Sequence, residues 1–310
     1  MKKLKVPERF EPTIKELKFI LKRVRNTPLS VAGIILVSVF IFIAIFAPLL
    51  APPIPGLNPY MIPRDEELGF KIEPSPPSPK HPFGTTQAQR DIYYGCIWGT
   101  RWAFEIALKV IIAVVAIGIV LGLVSGYYGG IVDEVLMRFT DIILAFPGLI
   151  LAMAFVTVLT HAGWKTIDAV LLAIVVIGWP GYARLIRGEV LRVKSEDYIE
   201  AARACGASDL RIMFRHILPN TIYSVIIVAS LDFGSIVITT AALSFLGLGA
   251  PVGWADWGRL IYDGMGFVSA GLRWWWSWTY PGIFIVLFVL GWSLLGDALR
   301  DILDPLYRRK

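Results

Sequence analysis

The sequence predicts an all-α protein that crosses a membrane six times, and three observations support this fold class. Of the 310 residues, 56% are hydrophobic, and the mean hydropathy of +0.64 exceeds that of typical soluble domains. Several uninterrupted apolar stretches reach the roughly 20 residues that a helix needs to cross hydrocarbon. These stretches are continuous, whereas the strands of a membrane barrel alternate in hydropathy. Because helices satisfy their own backbone hydrogen bonds in lipid, we expect the stretches to be helical.

Six apolar stretches are long enough to be membrane spans. The first covers residues 30–50. A cleaved signal peptide is the competing interpretation, but its apolar core has only about 7–15 residues, so an uncleaved first helix is favoured. The other predicted spans are residues 102–127, 136–159, 167–186, 221–246 and 280–299.

The polar sequence between these stretches divides the chain into five segments. Prolines are frequent after the first span, as at Pro52, Pro53 and Pro55, and they predict an irregular external loop rather than a helix. The predicted segments are a basic amphipathic cytoplasmic segment (1–29), the first span (30–50), an extracytoplasmic loop (51–100), a five-helix core with a cytoplasmic loop at 187–220 (101–300), and a cytoplasmic tail (301–310).

The distribution of lysine and arginine predicts that both termini are cytoplasmic. With the amino terminus inside, the predicted cytoplasmic segments hold nineteen of these residues and the predicted external segments hold eight. The net charge of +6 is therefore attributed to orientation and lipid contact, because no soluble basic domain remains that would bind nucleic acid. Cys96 and Cys205 fall on opposite sides in this topology, so we expect them not to pair.

The polar loop between the fourth and fifth predicted spans is the most informative segment. We expect a short helix that starts at Ser195, whose hydroxyl can cap it, and ends at Gly206, which readily adopts a left-handed conformation. A second short helix is expected to start at Ser208 and Asp209 and to end at Pro219. The pattern leaves two functions open: a solvated hairpin that covers the bundle, or an element that docks into a groove of a partner.

The order of residues in this loop resembles the cytoplasmic loop of the permeases of binding-protein-dependent ABC importers. The likeness lies in the Glu-Ala-Ala run that begins at Glu200, followed by Gly206 and then by Leu218-Pro219. In that family the loop forms a coupling helix in a cleft of the ATPase subunit. The resemblance implies the type I importer permease fold. It also implies a coupling role for Glu200, Ala201, Ala202, Arg203, Ala204, Gly206, Ala207, Ser208, Asp209, Arg211, Leu218 and Pro219.

The resemblance extends over roughly residues 80–305 and points to the dipeptide, oligopeptide and nickel subfamily. The long first external loop resembles the second of its two permease types. Matching motifs include Gly126 to Gly130, Asp133-Glu134, Ala145-Phe146-Pro147, Trp179-Pro180, Arg187-Gly188-Glu189 and Ala242 to Gly249. Three positions depart from the family pattern. Thr86 stands where Asp is usual, Gln89 where Gly is usual, and Ala241 where Glu is usual, which leaves the solute class open.

Charged residues within the predicted spans are candidates for the translocation path. Glu105 and Lys109 are four residues apart near the outer end of the second span, so they can pair on one helix face. Asp232 falls near the middle of the fifth span without a partner nearby in the sequence. Such a carboxylate is expected to face a polar cavity or to bond to a neighbouring helix, unless the span boundary is misplaced.

No cofactor or metal site is predicted on this chain. The residues around Gly163 to Thr166 lack the spacing of a phosphate-binding loop, and the three histidines are dispersed. The resemblance implies that ATP and Mg²⁺ bind two separate ATP-binding subunits. Its other implied partners are a second homologous permease, an extracytoplasmic solute-binding protein and membrane lipid.

Two other classes of function compete with an importer subunit. An ion-driven secondary transporter would require inverted repeats, which the sequence does not show. An intramembrane enzyme would require a nucleophile with its base, which is not identifiable. For an importer, di- and oligopeptides are the favoured solutes, and oligosaccharides or nickel are the alternatives.

Overall fold

The computed structural model describes residues 27–65, 67–69, 73–266 and 272–303. Residues 1–26 of the predicted N-terminal amphipathic segment and most of the predicted tail lie outside these residues. In chain order the helices are α1 (Pro28–Leu50), α2 (Ile92–Tyr128), α3 (Gly130–Leu144), α4 (Gly148–His161), α5 (Thr166–Lys194), α6 (Asp197–Ala204), α7 (Asp209–Arg211), a π-helical turn (Ile212–Ile217), α8 (Leu218–Phe245), α9 (Trp257–Met265), a 3₁₀ turn (Leu272–Trp274) and α10 (Trp276–Leu303).

Within the described residues, five helical segments are long and apolar enough to cross a membrane, and a sixth span exists if α3 and α4 count as one. The all-α prediction is confirmed, but the prediction of one continuous third span is wrong. The axes of α3 and α4 differ by 89° at a break between Leu144 and Gly148. Pro147 accounts for the break, because proline donates no backbone hydrogen bond and disfavours helical geometry at the residue before it.

The second and fourth spans pack closely because α2 presents a row of glycines to α5. These are Gly118, Gly122 and Gly126, which repeat every four residues and so share one helix face. A Cβ atom added to Gly118 would lie 2.4 Å from the Tyr182 Cβ atom, and one added to Gly126 would lie 2.8 Å from the Val190 Cβ atom. Small residues at such spacing let helix backbones approach within a membrane.

The fifth span continues directly out of the polar loop. The prediction that Pro219 ends a short helix is wrong, because helical structure runs from Asp209 through the π-helical turn into α8. Pro219 lies in the first turn of α8, where proline is tolerated. It cannot donate to the carbonyl of Arg215, and the wider π-helical turn lies immediately before it.

A cap covers the end of the bundle that is predicted to be external. We define the cap as residues 51–65, 67–69 and 73–91 together with residues 249–266. The two parts join through backbone hydrogen bonds, from the Ile62 N–H to the Gly253 carbonyl at 2.8 Å and from the Ala255 N–H to the Tyr60 carbonyl at 2.7 Å. Within the second part, Asp256 caps α9 by accepting a bond from the backbone N–H of Arg259.

Candidate functional site

We call residues 187–220 the coupling loop, after the role predicted for them. A few buried apolar side chains hold this loop against the bundle. Ile199 of α6 and Ile212 and Ile217 of the π-helical turn have no exposed surface and belong to the main core. The predicted Ser195 cap is wrong. Glu196 occupies the cap position of α6, while the Ser195 hydroxyl donates to the Arg192 carbonyl at the end of α5.

The break between the two short helices of the loop lies where the sequence predicts it. Gly206 has a φ of 81°, in the left-handed region that glycine tolerates best. The next helix begins at Asp209, after Ser208. Cys205, beside the break, is an exposed free thiol, whereas Cys96 is buried and free, so the prediction that they do not pair is confirmed.

The structure leaves every predicted coupling residue exposed or half-buried. Ala202, Ala207 and Leu218 are half-buried. The exposed members are Glu200, Ala201, Arg203, Ala204, Gly206, Ser208, Asp209, Arg211 and Pro219. Large apolar side chains adjoin them, with exposed fractions of 43% for Tyr198, 64% for Leu210 and 52% for Phe214. Small residues that leave backbone accessible, beside exposed aromatic and aliphatic side chains, form a surface suited to a partner.

A polar junction at the base of the coupling loop was not predicted from the sequence. The Tyr127 hydroxyl, at the end of α2, donates to an Asp209 carboxylate oxygen at 2.6 Å. Lys194, the last residue of α5, donates to the backbone carbonyl of Tyr127. Nearby, both Nε and an Nη atom of Arg187 bond to the Asp133 carboxylate at 2.5 and 2.6 Å. In the sequence, opposite charges such as Asp133 and Arg187 could have indicated an ion pair here. Only the packing of the helices shows which charges come into contact.

Asp232 lies half-buried on α8. Tyr182 of α5, a side chain buried against α2, is its neighbour, but the Tyr182 hydroxyl has no hydrogen-bond partner within the described residues. A bond between the helices stays a prediction. A position lining the translocation path stays a prediction.

Glu105 and Lys109 form the predicted pair, with 2.5 Å between the Lys109 Nζ atom and a Glu105 carboxylate oxygen. The second Glu105 oxygen accepts a bond from the Tyr60 hydroxyl at 2.5 Å. Tyr60 belongs to the cap and stacks on Trp254, with 5.5 Å between ring centroids. Glu105 therefore ties α2 to the cap, and its role in the path stays a prediction.

Gln89 explains one departure from the family pattern. Its φ of 55° lies in the left-handed region, which a glycine would adopt without strain. The side chain is fully buried. Its oxygen accepts bonds from the hydroxyls of Ser75 and Thr85 at 2.8 and 2.9 Å, and its nitrogen donates to the Glu73 carbonyl at 2.8 Å. These bonds hold the non-glycine residue in place and organise the cap.

His81 joins two carboxylates of the cap. Its ring nitrogens lie 2.8 Å from Asp91 and 2.8 Å from Asp65. Burial lowers the pKa of His81, but the bonds to Asp91 and Asp65 outweigh it, so the pKa is raised overall. The Lys80 ammonium and His81 together hold the pKa of Asp65 at about 2.

Comparison with known proteins identifies the class of this architecture. The family of binding-protein-dependent transport system inner membrane components matches residues 118–309. The chain belongs to this family. The permease is 35% identical over 284 residues to the dipeptide transport system permease protein of Alkalihalophilus pseudofirmus, covering 92% of this chain and 88% of the relative. It is 33% identical over 287 residues to the oligopeptide transport system permease protein of Bacillus subtilis, covering 93% and 88%.

A third similar protein is named for the transport of another solute, glutathione. The permease is 35% identical over 286 residues to the glutathione transport system permease protein of Escherichia coli O6:K15:H31, covering 92% of this chain and 88% of the relative. The chain is thus a multi-pass membrane permease component of a binding-protein-dependent ABC importer rather than an enzyme, and the predicted family and function class are confirmed.

Proposed function

We propose that the permease forms half of the path by which an importer takes up di- and oligopeptides. In this proposal a second homologous permease supplies the other half, and an extracytoplasmic binding protein delivers the solute. Two ATP-binding subunits carry ATP and Mg²⁺. The names of three relatives, which specify dipeptide, oligopeptide and glutathione transport, support a peptide solute.

The coupling loop is the observation that carries the proposal. Its exposed small residues and adjoining apolar side chains suit insertion into a cleft. Its buried isoleucines attach the loop firmly to the bundle. The loop is also covalently continuous with both α5 and α8. When ATP closes the ATP-binding subunits, a docked loop would transmit that movement to these spans and open the path alternately to each side.

The decisive experiment is ATP hydrolysis by the full importer reconstituted in lipid with its binding protein. Short peptides are added in one series and short oligosaccharides in another. We expect peptides alone to stimulate hydrolysis. Stimulation by oligosaccharides alone would overturn the peptide assignment, while the absence of any ATP-binding subunit from the purified complex would overturn the proposed partnership.

Docking of the loop is tested by a matched pair of substitutions. Ala201 is exposed on the coupling surface, and Ala162 is exposed in the connection after α4, far along the chain. We expect Ala201→Trp to release the ATP-binding subunits during purification and Ala162→Trp to retain them. Retention by both variants would contradict docking through this surface.

A further inference from the structure

The second-span helix α2 contacts both functional ends of the permease. At one end, Glu105 of α2 bonds to Tyr60 of the cap. At the other end, Tyr127 of α2 bonds to Asp209 of the coupling loop. The helix is unbroken over its 37 residues, or about 55 Å at 1.5 Å per residue. A continuous helix of this kind can transmit a displacement from one end to the other.

Tyr127 is the contact point at the coupling end. Its side chain is only 5% exposed, so its orientation is set by packing. Its hydroxyl bonds to Asp209 in the first turn of α7, and Arg203 of α6 interacts with the same hydroxyl. The Lys194 ammonium lies 5.5 Å from the centre of its ring and bonds to its carbonyl. One tyrosine therefore touches the end of α5 and both short helices of the loop.

The bond between the Tyr127 hydroxyl and the Asp209 carboxylate links α7 to the end of α2. Asp209 is exposed and lies at a helix N-terminus, where the helix dipole favours a carboxylate. A hydroxyl that donates to an ionised carboxylate forms a stronger bond than one between neutral groups. Movement of α7 would therefore pull on the end of α2. Without the hydroxyl, α7 would remain attached through the chain to α8 but lose this link to α2.

We propose that Tyr127 is a positioning residue for energy coupling, whose bond to Asp209 makes α2 move with the coupling loop. This inference rests on the proposed docking of the loop to an ATP-binding subunit. It adds a route from the loop to the cap, in parallel with the covalent connections to α5 and α8. The group concerned is the Tyr127 hydroxyl, because the phenyl ring alone would preserve the packing.

The test compares Tyr127→Phe with Tyr128→Phe in the complete reconstituted importer. Tyr128 is the adjacent residue, and its ring packs edge-on against that of Tyr127. Its side chain is 52% exposed, so Tyr128→Phe makes the same chemical change without removing the bond to Asp209. The readout is the ratio of ATP hydrolysis with binding protein and peptide to hydrolysis without them. We expect Tyr127→Phe to lower this ratio about tenfold, the size expected for loss of a charge-assisted hydrogen bond. Tyr128→Phe is expected to leave the ratio unchanged.

A double-mutant cycle separates coupling from structural damage. In an Asp209→Ala background, Tyr127→Phe should have no further effect on the ratio, because the bond is already absent. Subunit stoichiometry of the Tyr127→Phe complex should match the wild type. Full stimulation of that variant, additive losses in the cycle, or release of the ATP-binding subunits would each overturn the inference. A wild-type complex without ATP-binding subunits would instead overturn the proposed function, and this inference with it.

Discussion

The cap and the coupling loop both lie outside the membrane-spanning helices, but they bury different kinds of side chain. The cap buries polar groups and pairs them internally, as Gln89 and His81 show. The coupling loop buries isoleucines and leaves large apolar side chains such as Leu210 and Phe214 exposed. The cap also exposes large apolar side chains, among them Leu57 and Val252, so the two segments differ in what they bury: hydrogen-bonded polar groups in the cap and isoleucines in the coupling loop.

The largest expected effect tests whether the cap depends on its own hydrogen bonds. Gln89→Leu would leave several buried donors and acceptors unmet, each at about 1–3 kcal/mol. We expect the free energy of local opening of the cap to fall by about 4 kcal/mol. Hydrogen exchange of residues 73–91 measures this change. Gln87 is exposed two residues away, so Gln87→Leu should change it by less than about 0.5 kcal/mol. Equal effects would contradict the account of the cap.

The next effect tests how the coupling loop is held. Ile199 is fully buried, so Ile199→Ala should cost about 3 kcal/mol of local stability by leaving a cavity. Faster hydrogen exchange of residues 195–211 would report it. Leu210 is 64% exposed, so Leu210→Ala should leave exchange unaltered while weakening the binding of an ATP-binding subunit. If both variants accelerated hydrogen exchange of the loop equally, the conclusion that Ile199 holds the loop while Leu210 serves docking would be wrong.

A smaller effect is expected where the cap meets α2. Tyr60→Phe removes a bond to the Glu105 carboxylate and should cost the cap about 2 kcal/mol. Tyr93 offers a control, because its hydroxyl donates at 3.3 Å to the uncharged Leu50 carbonyl. Thermal unfolding of each variant in lipid would show the difference. A Tyr93→Phe variant as unstable as Tyr60→Phe would argue against a special role for Glu105.

The smallest expected effect is a dependence of cap stability on pH. Because the folded-state pKa of His81 is raised, its stabilising contribution is complete below the unfolded pKa of about 6.5 and is lost as pH rises through the folded value. The Asp65 contribution, with a folded pKa of about 2, is lost only in acid. Hydrogen exchange of the cap, corrected for intrinsic rates, should therefore quicken above neutral pH. His81→Gln should remove that dependence. If the dependence persisted in this variant, His81 would not be its source.

The break in the third span shows what the local sequence pattern predicts and what it does not. The apolar content of residues 136–159 predicts helix, and helix is present on both sides of the break. Pro147 signals a possible interruption, but its sequence position does not specify a turn of 89°. Likewise, Pro219 is a usual helix terminator, yet the chain continues through a π-helical turn. Local propensity was overridden where packing kept the helix continuous.

The sequence by itself determined the membrane-spanning α class, the family and the break at Gly206 between two short helices, because apolar length, glycine placement and residue order are local properties. Tertiary structure decided that Tyr127 meets Asp209, 82 residues later in the chain. It also decided that Glu105 bonds to Tyr60 and that Gln89 adopts a left-handed backbone. Such outcomes depend on how close-packed helices place distant side chains, and no local pattern specifies that placement.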